Sequence, residues 1–363
     1  MAAGFAQWGN DLYTGRRSYD IVGRRKIWFT IAALLVAVSA VLLVVPGLNP
    51  GIDFRGGSEF TISGVATSNR QAAIDAVASV APKEVPLVSA VGTSSIRVQT
   101  TNLANTQVEQ VRLALADAYK VSKDAVASSF VGPSWGADVS SKAIRGIVVF
   151  LILVTVVMAL YFRAWRMAVA ALVALGHDLV VTVGLYAGIG WEVTPATVIG
   201  FLTILGYSIY DTVVVFDKVR ENTQGVLDQT RFTYAEQANL AVNQTLVRSI
   251  NTTVVALLPV GSILFIGAFI LGAGTLRDIA LALFVGLVVG AFSSIFLATP
   301  LEVALRMREP AIAAHDAKVL AARAASGDEG GVAVGAPSHA VQLLPGGHLG
   351  NQAQPRRRKQ GRR

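Results

Sequence analysis

Two acidic residues lie inside long apolar stretches of the sequence, and they are its first candidates for chemistry. Asp178 lies near the middle of the apolar run 168–189, beside His177, and Asp211 lies within the run 193–216. A charged group at the centre of a membrane helix costs about 2.5–3.5 kcal/mol on insertion scales, so an acid in this position indicates a function. We predict that the two carboxyl groups bind and release a coupling ion, either a proton or a sodium ion.

Each acid also has a plain structural interpretation. Asp211 is nearer the end of its run than the centre, so it could lie at the membrane surface together with Asp217. The intervening residues 212–216 are largely apolar, which buries Asp211 by more than one helical turn and favours the functional role. For Asp178, a structural acid that bonds to a neighbouring helix stays open as the alternative.

Arg248 precedes the apolar run 251–271 and is the corresponding candidate cation. Its plain interpretation is an arginine whose long side chain reaches the membrane surface from the start of a helix. The functional interpretation is a guanidinium that pairs with an intramembrane carboxylate, because arginine stays charged whereas aspartate can be protonated. Such a pair would act as a latch that holds ionised aspartate and releases protonated aspartate.

Two pairs of glycines have the spacing that allows membrane helices to approach closely. They are Gly184 with Gly188 and Gly286 with Gly290. We predict close helix contacts at both pairs, although membrane helices are rich in glycine in any case.

The amino-acid composition indicates that the chain is a membrane protein. Of the 363 residues, 53% are apolar and 15% are charged, whereas an average soluble domain has about 25% charged residues. A membrane-spanning helix needs about 20 consecutive apolar residues. The sequence has six such runs, at 27–45, 144–162, 168–189, 193–216, 251–271 and 276–299. We interpret the first run as an uncleaved anchor, since it is too long for a signal peptide and no clean cleavage site follows it.

Basic residues set the orientation of these helices. The formal net charge is +8, and the lysines and arginines cluster at alternate ends of the apolar runs, as the positive-inside rule requires. This pattern places both termini in the cytoplasm and residues 46–142 outside it. It also explains the basic balance without nucleic acid, which we do not expect as a partner. The chain has no cysteine and four histidines, so we expect no disulfide, no metal site and no cofactor.

Residues 46–142 contain short alternating elements and no membrane span. Their periodicities predict the order β-α-β-β-α-β, which is the ferredoxin-like α+β arrangement. The predicted elements are strands at 52–63, 85–91, 96–100 and 125–131 and helices at 70–80 and 108–119. No catalytic constellation stands out among them, so we predict a binding or mechanical module and a protein that is not an enzyme.

The sequence therefore divides into five parts. They are a cytoplasmic segment at 1–26, the first membrane helix at 27–45, the extracytoplasmic domain at 46–142, membrane helices two to six at 143–305, and a disordered basic cytoplasmic tail at 306–363. The tail is rich in alanine and glycine, and its basic cluster at 356–359 could contact anionic membrane lipids.

A series of short motifs indicates a family. The motifs are Gly-Ile-Asp-Phe-Arg-Gly-Gly at 51–57, Val-Gly-Pro-Ser-Trp-Gly at 131–136, Tyr-Phe-Arg-Ala-Trp-Arg at 161–166, His-Asp at 177–178, Gly-Tyr-Ser-Ile-Tyr-Asp-Thr at 206–212, Asn-Gln-Thr at 243–245 with the following Arg248, Asn251 and Thr252, and Gly-Thr-Leu-Arg at 274–277. Their order, over residues 20–305, resembles the SecF family, which supplies the smaller subunit of the bacterial SecDF protein-export complex. Residues 311–363 lie outside the resemblance.

The resemblance implies partners and roles that the residues alone do not show. It implies half of an RND-type transporter in the bacterial cytoplasmic (inner) membrane, paired with SecD and associated with the SecYEG channel. Such a subunit uses the proton gradient to help draw out secreted preproteins that SecA has pushed into the channel. Asp211 would then carry the proton, with Arg248 as its partner at the SecD–SecF interface and Asp178 in the same relay. Coupling roles carry over to the motif residues Asp53, Gly56, Gly57, Gly206, Tyr207, Thr212, Asn251 and Thr252.

Two other functions stay open. A proton-coupled RND-type exporter of small molecules or lipids would use the same kind of helices, but one chain with six of them lacks the second half of a transport path. A scaffold that only stabilises the translocon would also fit, and it predicts that Asp211 can be replaced without loss of export. A neighbouring SecD-like chain would distinguish the exporter from the export subunit.

Overall fold

The computed structural model describes residues 2–66, 69–91, 94–270 and 274–325. Its helices are α1 (Ala2–Tyr13), α2 (Arg25–Val44), α3 (Ile52–Arg55), α4 (Arg70–Val80), α5 (Asn105–Tyr119), α6 (Pro133–Phe162), α7 (Trp165–Ile189), α8 (Pro195–Thr223), α9 (Tyr234–Ser262), α10 (Gly274–Ser293), α11 (Thr299–Arg306) and α12 (Pro310–Ala325). π-Helical turns continue α9 (Ile263–Ile270) and α10 (Ser294–Ala298). Within the described ranges, six helices, α2 and α6 to α10, are long and apolar enough to cross a membrane. The chain is therefore a polytopic helical membrane protein, as its six apolar runs predict.

Threonine caps fix the starts of α8 and α9. The Thr194 hydroxyl accepts a hydrogen bond from the N–H of Thr197 at 3.2 Å, and Pro195 occupies the first helical turn, where its missing N–H costs little. Thr233 and Glu236 form a capping box, in which each side chain accepts from the backbone N–H of the other residue. Because of this cap, α9 begins well before its apolar run.

α6 connects the membrane helices to the preceding domain. It begins at Pro133, earlier than the predicted membrane run 144–162. Its first turns pack closely on α3, since a Cβ at Gly136 would lie 2.6 Å from the carbonyl oxygen of Phe54. The boundary that we predicted at residue 142 therefore falls inside one continuous helix, which forms a direct connection between the two parts of the chain.

Glycines bring the membrane helices into close contact. A Cβ at Gly286 of α10 would lie 2.1 Å from Cδ1 of Ile204 on α8, and Gly290 faces the same helix. On α7, Gly184 and Gly188 contact α2 in the same way. The predicted close contacts at both glycine pairs are confirmed.

Replacement of Gly184 by alanine should push α2 away from α7. A Cβ at this position would lie 2.7 Å from Cα of Ser39, a backbone atom that cannot rotate aside. We expect a loss of about 1–3 kcal/mol, the usual cost of overpacking, measured as a lower melting temperature of the purified protein in detergent. Gly176→Ala on the same helix is the control, because nothing lies within 4 Å of its added Cβ. Equal melting temperatures for the two variants would contradict a tight α2–α7 contact.

Two short strands, β1 (Asn49–Pro50) and β6 (Glu192–Val193), pair in parallel. A separate four-stranded sheet lies between α2 and α6 in the chain. Its strands are β2 (Gly57–Ser63), β3 (Leu87–Val91), β4 (Ser95–Thr100) and β5 (Val126–Val131), in the spatial order β3-β4-β2-β5 with all neighbours antiparallel. Phe60 and Ile62 of β2 are fully buried beneath α4 and α5 together with Val98 and Val111, because alternate residues of a strand share one face. We call this unit the sheet domain. Its elements follow the predicted β-α-β-β-α-β order.

The start of the sheet domain differs from the predicted strand at 52–63. Ile52–Arg55 forms the short helix α3, and the strand begins only at Gly57. Gly56 has a φ of +77° and Gly57 a φ of +142°, which are backbone conformations that other residues rarely adopt. The two glycines therefore end the helix and redirect the chain into β2.

The last described helix packs against the bundle. α12 buries Ile312 and Val319, and Oδ1 of Asp316 accepts a hydrogen bond at 3.0 Å from the N–H of Tyr234 at the start of α9. The prediction that all of 306–363 is disordered is therefore wrong for α12, whose few apolar residues recur at helical spacing within an alanine-rich stretch. Residues 326–363, with the basic cluster, lie outside the described residues.

Candidate functional site

The carboxyl group of Asp178 lies inside the helix bundle among polar side chains. Its Oδ2 accepts hydrogen bonds from the hydroxyls of Ser208 at 2.6 Å and Ser293 at 2.8 Å, and its Oδ1 lies 3.2 Å from Nδ1 of His177. Asp178 is only 1% exposed. Residues from α7, α8 and α10 thus converge on one acid, which fits the structural alternative as well as the relay.

Asp211 of α8 has a similar environment. Its Oδ1 accepts a hydrogen bond from the hydroxyl of Ser249 on α9 at 2.8 Å, and its Oδ2 accepts one from Ser294 at 2.5 Å. Asp211 is 5% exposed, whereas Asp217 on the same helix is exposed. Asp211 therefore faces the interior of the helix bundle and Asp217 does not, which favours the functional interpretation of Asp211.

The four serines around the two acids are site residues that the sequence did not reveal. Ser208 and Ser249 lie inside motifs quoted above, but nothing in those motifs separates them from their neighbours. Ser293 and Ser294 are adjacent in the sixth apolar run. A serine in a membrane helix is a weak signal, because its hydroxyl can bond to the backbone of its own helix. Only the packing of helices shows which hydroxyls meet a carboxylate.

The predicted pair between Asp211 and Arg248 does not form within the described chain. Arg248 is exposed, and its Nη2 donates to the hydroxyl of Tyr210 at 3.4 Å. Successive residues of an α-helix point about 100° apart, so only one of two neighbours on α9 can face the aspartate. Ser249 takes that position. Within the described chain the guanidinium therefore points outward, and the pairing expected at the interface with a partner chain stays a prediction.

The motif residues around Asp211 have different surroundings. Thr212 is buried, and the buried hydroxyl of Tyr207 has no hydrogen-bond partner among the described residues. Nothing lies within 4 Å of a Cβ built at Gly206, so this glycine is not required for helix packing in the chain by itself.

Arg248 opens onto a groove that also contains Asn251 and Thr252. The groove has a volume of about 870 Å³ and lies between α1, α8 and α9. The Thr252 hydroxyl donates to the Arg248 carbonyl at 3.0 Å, while Asn251 is exposed. Further polar residues line it, namely Asn10, Asp217, Lys218, Glu221 and Gln244.

A second polar cluster joins the sheet domain to the membrane helices. The strand β1 (Asn49–Pro50), just after α2, pairs in parallel with β6 (Glu192–Val193) between α7 and α8. Nε2 of Gln99 on β4 donates to Glu192 at 2.6 Å and to Glu59 at 2.9 Å. Arg97 lies 3.5 Å from both carboxylates.

Two carboxyl groups at this junction have raised pKa values. Burial raises the pKa of Glu192, against the opposing effects of Gln99 and Arg97. Burial, followed by the charge of Glu59, raises the pKa of Asp53 on α3. The junction therefore contains carboxyl groups that hold a proton more tightly than exposed acids do.

Comparison with known proteins decides the family. Residues 110–308 match the family described as protein export membrane protein SecD/SecF, C-terminal, and residues 41–63 match the SecD/SecF GG motif. The protein translocase subunit SecF of Streptomyces coelicolor is 46% identical over 98% of this chain and 96% of its own length. The chain belongs to the SecF family. It is a membrane subunit of the protein translocase type.

Further SecF and SecDF proteins are similar to this chain. SecF of Mycobacterium leprae is 42% identical over 86% of this chain and 69% of its own length. SecDF of Thermus thermophilus is 32% identical over 81% of this chain. The crystal structure of that translocon-associated membrane protein has a TM-score of 0.69 at 31% identity and covers 80% of this chain. The chain spans about two fifths of the SecDF chain, 39% of its length.

In this SecF-family chain, docking of the sheet domain on the membrane helices should strengthen as the pH falls. The pKa of Glu192 is raised above its ordinary value of 4.5 in the docked state, so the docked state binds the proton more tightly than the released state. The stabilisation is complete below the ordinary value and is lost as the pH rises through the raised pKa.

Amide hydrogen exchange at β1 and β4, corrected for intrinsic rates over a series of pH values, measures this docking. The corrected protection should increase towards acid, and Glu192→Gln should reduce the increase, because glutamine cannot ionise; the remainder is expected from Asp53, whose pKa is also raised. Protection that decreases towards acid, or an unchanged pH dependence in the variant, would contradict the role of Glu192.

Proposed function

We propose that this chain is an accessory subunit of Sec protein export that works with SecD and uses the proton motive force to promote export of secreted proteins across the cytoplasmic membrane. The observation that carries the proposal is the pair of buried carboxyl groups, Asp178 and Asp211, on facing helices of the membrane bundle. Each is bonded to serine hydroxyls. Among the described residues, Asp211 bonds to hydroxyls alone, so it can gain and lose a proton without breaking an ion pair.

The family resemblance implies a proton as the coupling ion. Three of the four carboxylate oxygens accept hydrogen bonds from serine hydroxyls, and Oδ1 of Asp178 lies 3.2 Å from Nδ1 of His177. Oxygen ligands of this kind also suit a sodium ion, so the choice of a proton rests on the family and not on the geometry of the site. Moving one charge across 100 mV yields about 2.3 kcal/mol, which is enough to change a two-state equilibrium more than tenfold.

SecD is the partner that the surface of the membrane bundle favours. Tyr210, Arg248 and Asn251 are exposed on α8 and α9, and polar groups of this kind are costly against lipid. A second bundle would cover them and could supply the carboxylate that Arg248 lacks in this chain. SecDF of Thermus thermophilus carries a further three fifths of its length beyond the part that this chain matches. We propose SecYEG and SecA-dependent preproteins as the further partners.

The sheet domain is the proposed working part on the outer side of the membrane. Its strand order β3-β4-β2-β5 supports a ferredoxin-like fold. The basic residues beside the membrane helices support an extracytoplasmic position, with both termini in the cytoplasm of a bacterial cell. β1, α3 and the first turns of α6 connect the domain directly to α2 and α7. The work proposed for it is mechanical, so no enzymatic step is assigned to the chain.

The proposal predicts that the proton gradient promotes export only when this chain is present in the membrane. Inverted membrane vesicles with and without it should be compared for translocation of a secreted protein at constant ATP, before and after a protonophore. The protonophore should slow translocation in vesicles that contain the chain and change it much less in vesicles that lack it. The same protonophore effect in both preparations would contradict proton-driven assistance and leave a scaffold role.

A further inference from the structure

Ser293 and Ser294 are consecutive residues that bond to acids on two different neighbouring helices. The hydroxyl of Ser293 donates to Asp178 of α7 at 2.8 Å, and that of Ser294 donates to Asp211 of α8 at 2.5 Å. Both serines are completely buried. One peptide unit therefore lies between the hydrogen bonds to the two acids.

Each of these two hydroxyls also has a second acceptor. The Ser293 hydroxyl lies 3.2 Å from the Gly290 carbonyl oxygen, and the Ser294 hydroxyl lies 3.3 Å from the Ala291 carbonyl oxygen. A serine hydroxyl has one proton and can donate to one of the two acceptors at full strength. Rotation about a single bond thus moves the donated hydrogen bond from the acid to the helix backbone.

Ser208 and Ser249 differ in this respect. Among the described residues, the hydroxyl of Ser208 bonds to Asp178 and that of Ser249 bonds to Asp211, and neither has a second acceptor. Each acid is therefore held by one serine with a single acceptor and one serine with two. Both serines with two acceptors lie on the same helix, next to each other.

The helix changes its winding at this point. α10 ends at Ser293, and the π-helical turn begins at Ser294. The Thr299 hydroxyl donates to the Ser294 carbonyl oxygen at 3.5 Å, within the wider turn. Single π-helical turns inside α-helices are rare and occur frequently at functional sites. A change in the hydrogen bond of either serine therefore acts on the same short segment of the helix.

We propose that Ser293 and Ser294 form a switchable hydroxyl pair that couples the protonation of Asp178 to that of Asp211; the inference rests on the proposed function. When a proton binds Asp211, the new carboxyl O–H donates to Ser294, whose own hydroxyl turns to the Ala291 carbonyl. The same change at Asp178 turns Ser293 to Gly290. The serines neither gain nor lose a proton. They are positioning residues that let each buried acid exist in both states.

Among the described residues, few titratable groups other than the two aspartates lie near Ser293 and Ser294. Besides the two aspartates, the middle parts of the packed helices carry His177, Tyr186, Tyr207, Tyr210, Arg248 and Glu302. His177 lies against Asp178, while Arg248 bonds to Tyr210 and Glu302 bonds to Tyr234. Variants at the two serines therefore test the acids without a change in any neighbouring charge.

The test compares Ser293→Ala and Ser294→Ala with the hydroxyl-retaining variants Ser293→Thr and Ser294→Thr. The readout is gradient-driven export by membrane vesicles, with the native partner chain present, over a series of pH values. We expect each alanine variant to lower export about tenfold and to displace its pH profile by about one unit, since a hydrogen bond to a charged group is of that size. Threonine should restore both. The double alanine variant should be no worse than the more severe single one, because the two serines act as one unit.

Ser262→Ala is the control, because among the described residues that hydroxyl bonds only to the Leu258 carbonyl of its own helix. Alanine variants that reach normal membrane levels with full export and an unmoved pH profile would overturn the proposal. A threonine variant as defective as the alanine variant would do so too, since it would assign the serines to packing. If Asp211→Asn itself leaves export unchanged, the proposed function fails; if only the serine variants do, this inference fails alone.

Discussion

Cells whose only copy of this protein carries Asp211→Asn should export secreted proteins no better than cells that lack the protein. Asparagine has nearly the size of aspartate, and its carbonyl oxygen can still accept from Ser249. Its amide group can face Ser294, whose hydroxyl has the Ala291 carbonyl as a second acceptor. The variant should therefore fold and insert normally, yet it cannot bind a proton. We expect at least a tenfold loss of gradient-driven export at a normal membrane level.

Asp217→Asn is the matched control for that experiment. It lies on the same helix, but it is exposed and lines the groove beside Arg248. Its replacement should reduce gradient-driven export much less than Asp211→Asn does, because an exposed carboxylate on the groove takes no part in the buried hydrogen bonds to Ser249 and Ser294. Normal export by Asp211→Asn would assign the chain to the scaffold role. Equal losses in both variants would indicate a general effect of charge at this end of α8.

Gly57→Ala should destabilise the folded sheet domain. The residue has a φ of +142°, and a Cβ there would lie 2.3 Å from the carbonyl oxygen of Thr100 on β4. Backbone strain of this kind costs about 1–3 kcal/mol, and the contact with backbone adds to it. Total domain stability is about 5–15 kcal/mol. We expect rapid proteolysis of the sheet domain in membranes, measured by the loss of a protected fragment.

Two other glycines separate the causes in that experiment. Gly64 has a φ of +75° with nothing within 4 Å of an added Cβ, so Gly64→Ala introduces strain without a clash. Gly132 has a φ of −68° and equally open surroundings, so Gly132→Ala introduces neither. Proteolysis should be fastest for Gly57→Ala, slower for Gly64→Ala and unchanged for Gly132→Ala. Comparable rates for Gly57→Ala and Gly132→Ala would contradict the close packing at the GG motif.

Much of the architecture could be predicted because lipid imposes a simple rule. A membrane helix must be long and apolar, so six runs predict six helices. The sheet domain was predictable in its element order because alternation and helical spacing differ in period. The structure of segment 52–63 was not predictable, because Ile52–Arg55 alternates like the strand that follows it. The short helix at Ile52–Arg55 is separated from that strand only by the φ values of Gly56 and Gly57.

The two acids of the site could be predicted from the free-energy cost of a charge inside the membrane. Their hydrogen-bond partners could not be predicted. Asp178 and Asp211 stand out because a buried charge in a membrane needs a reason. Ser249 is a neutral residue whose importance depends on which face of α9 meets α8. The same geometry explains why Arg248, which is adjacent in sequence, does not meet Asp211 within the described chain.

The most direct test of the central claim is proton-driven release of a trapped export substrate. A secreted protein is stalled in vesicles that contain this chain and its partner, the ATP is then removed, and a pH gradient is imposed. The unmodified chain should complete translocation without ATP, and Asp211→Asn should leave the substrate trapped. Completion at the same rate with Asp211→Asn would contradict the assignment of Asp211 as the proton carrier.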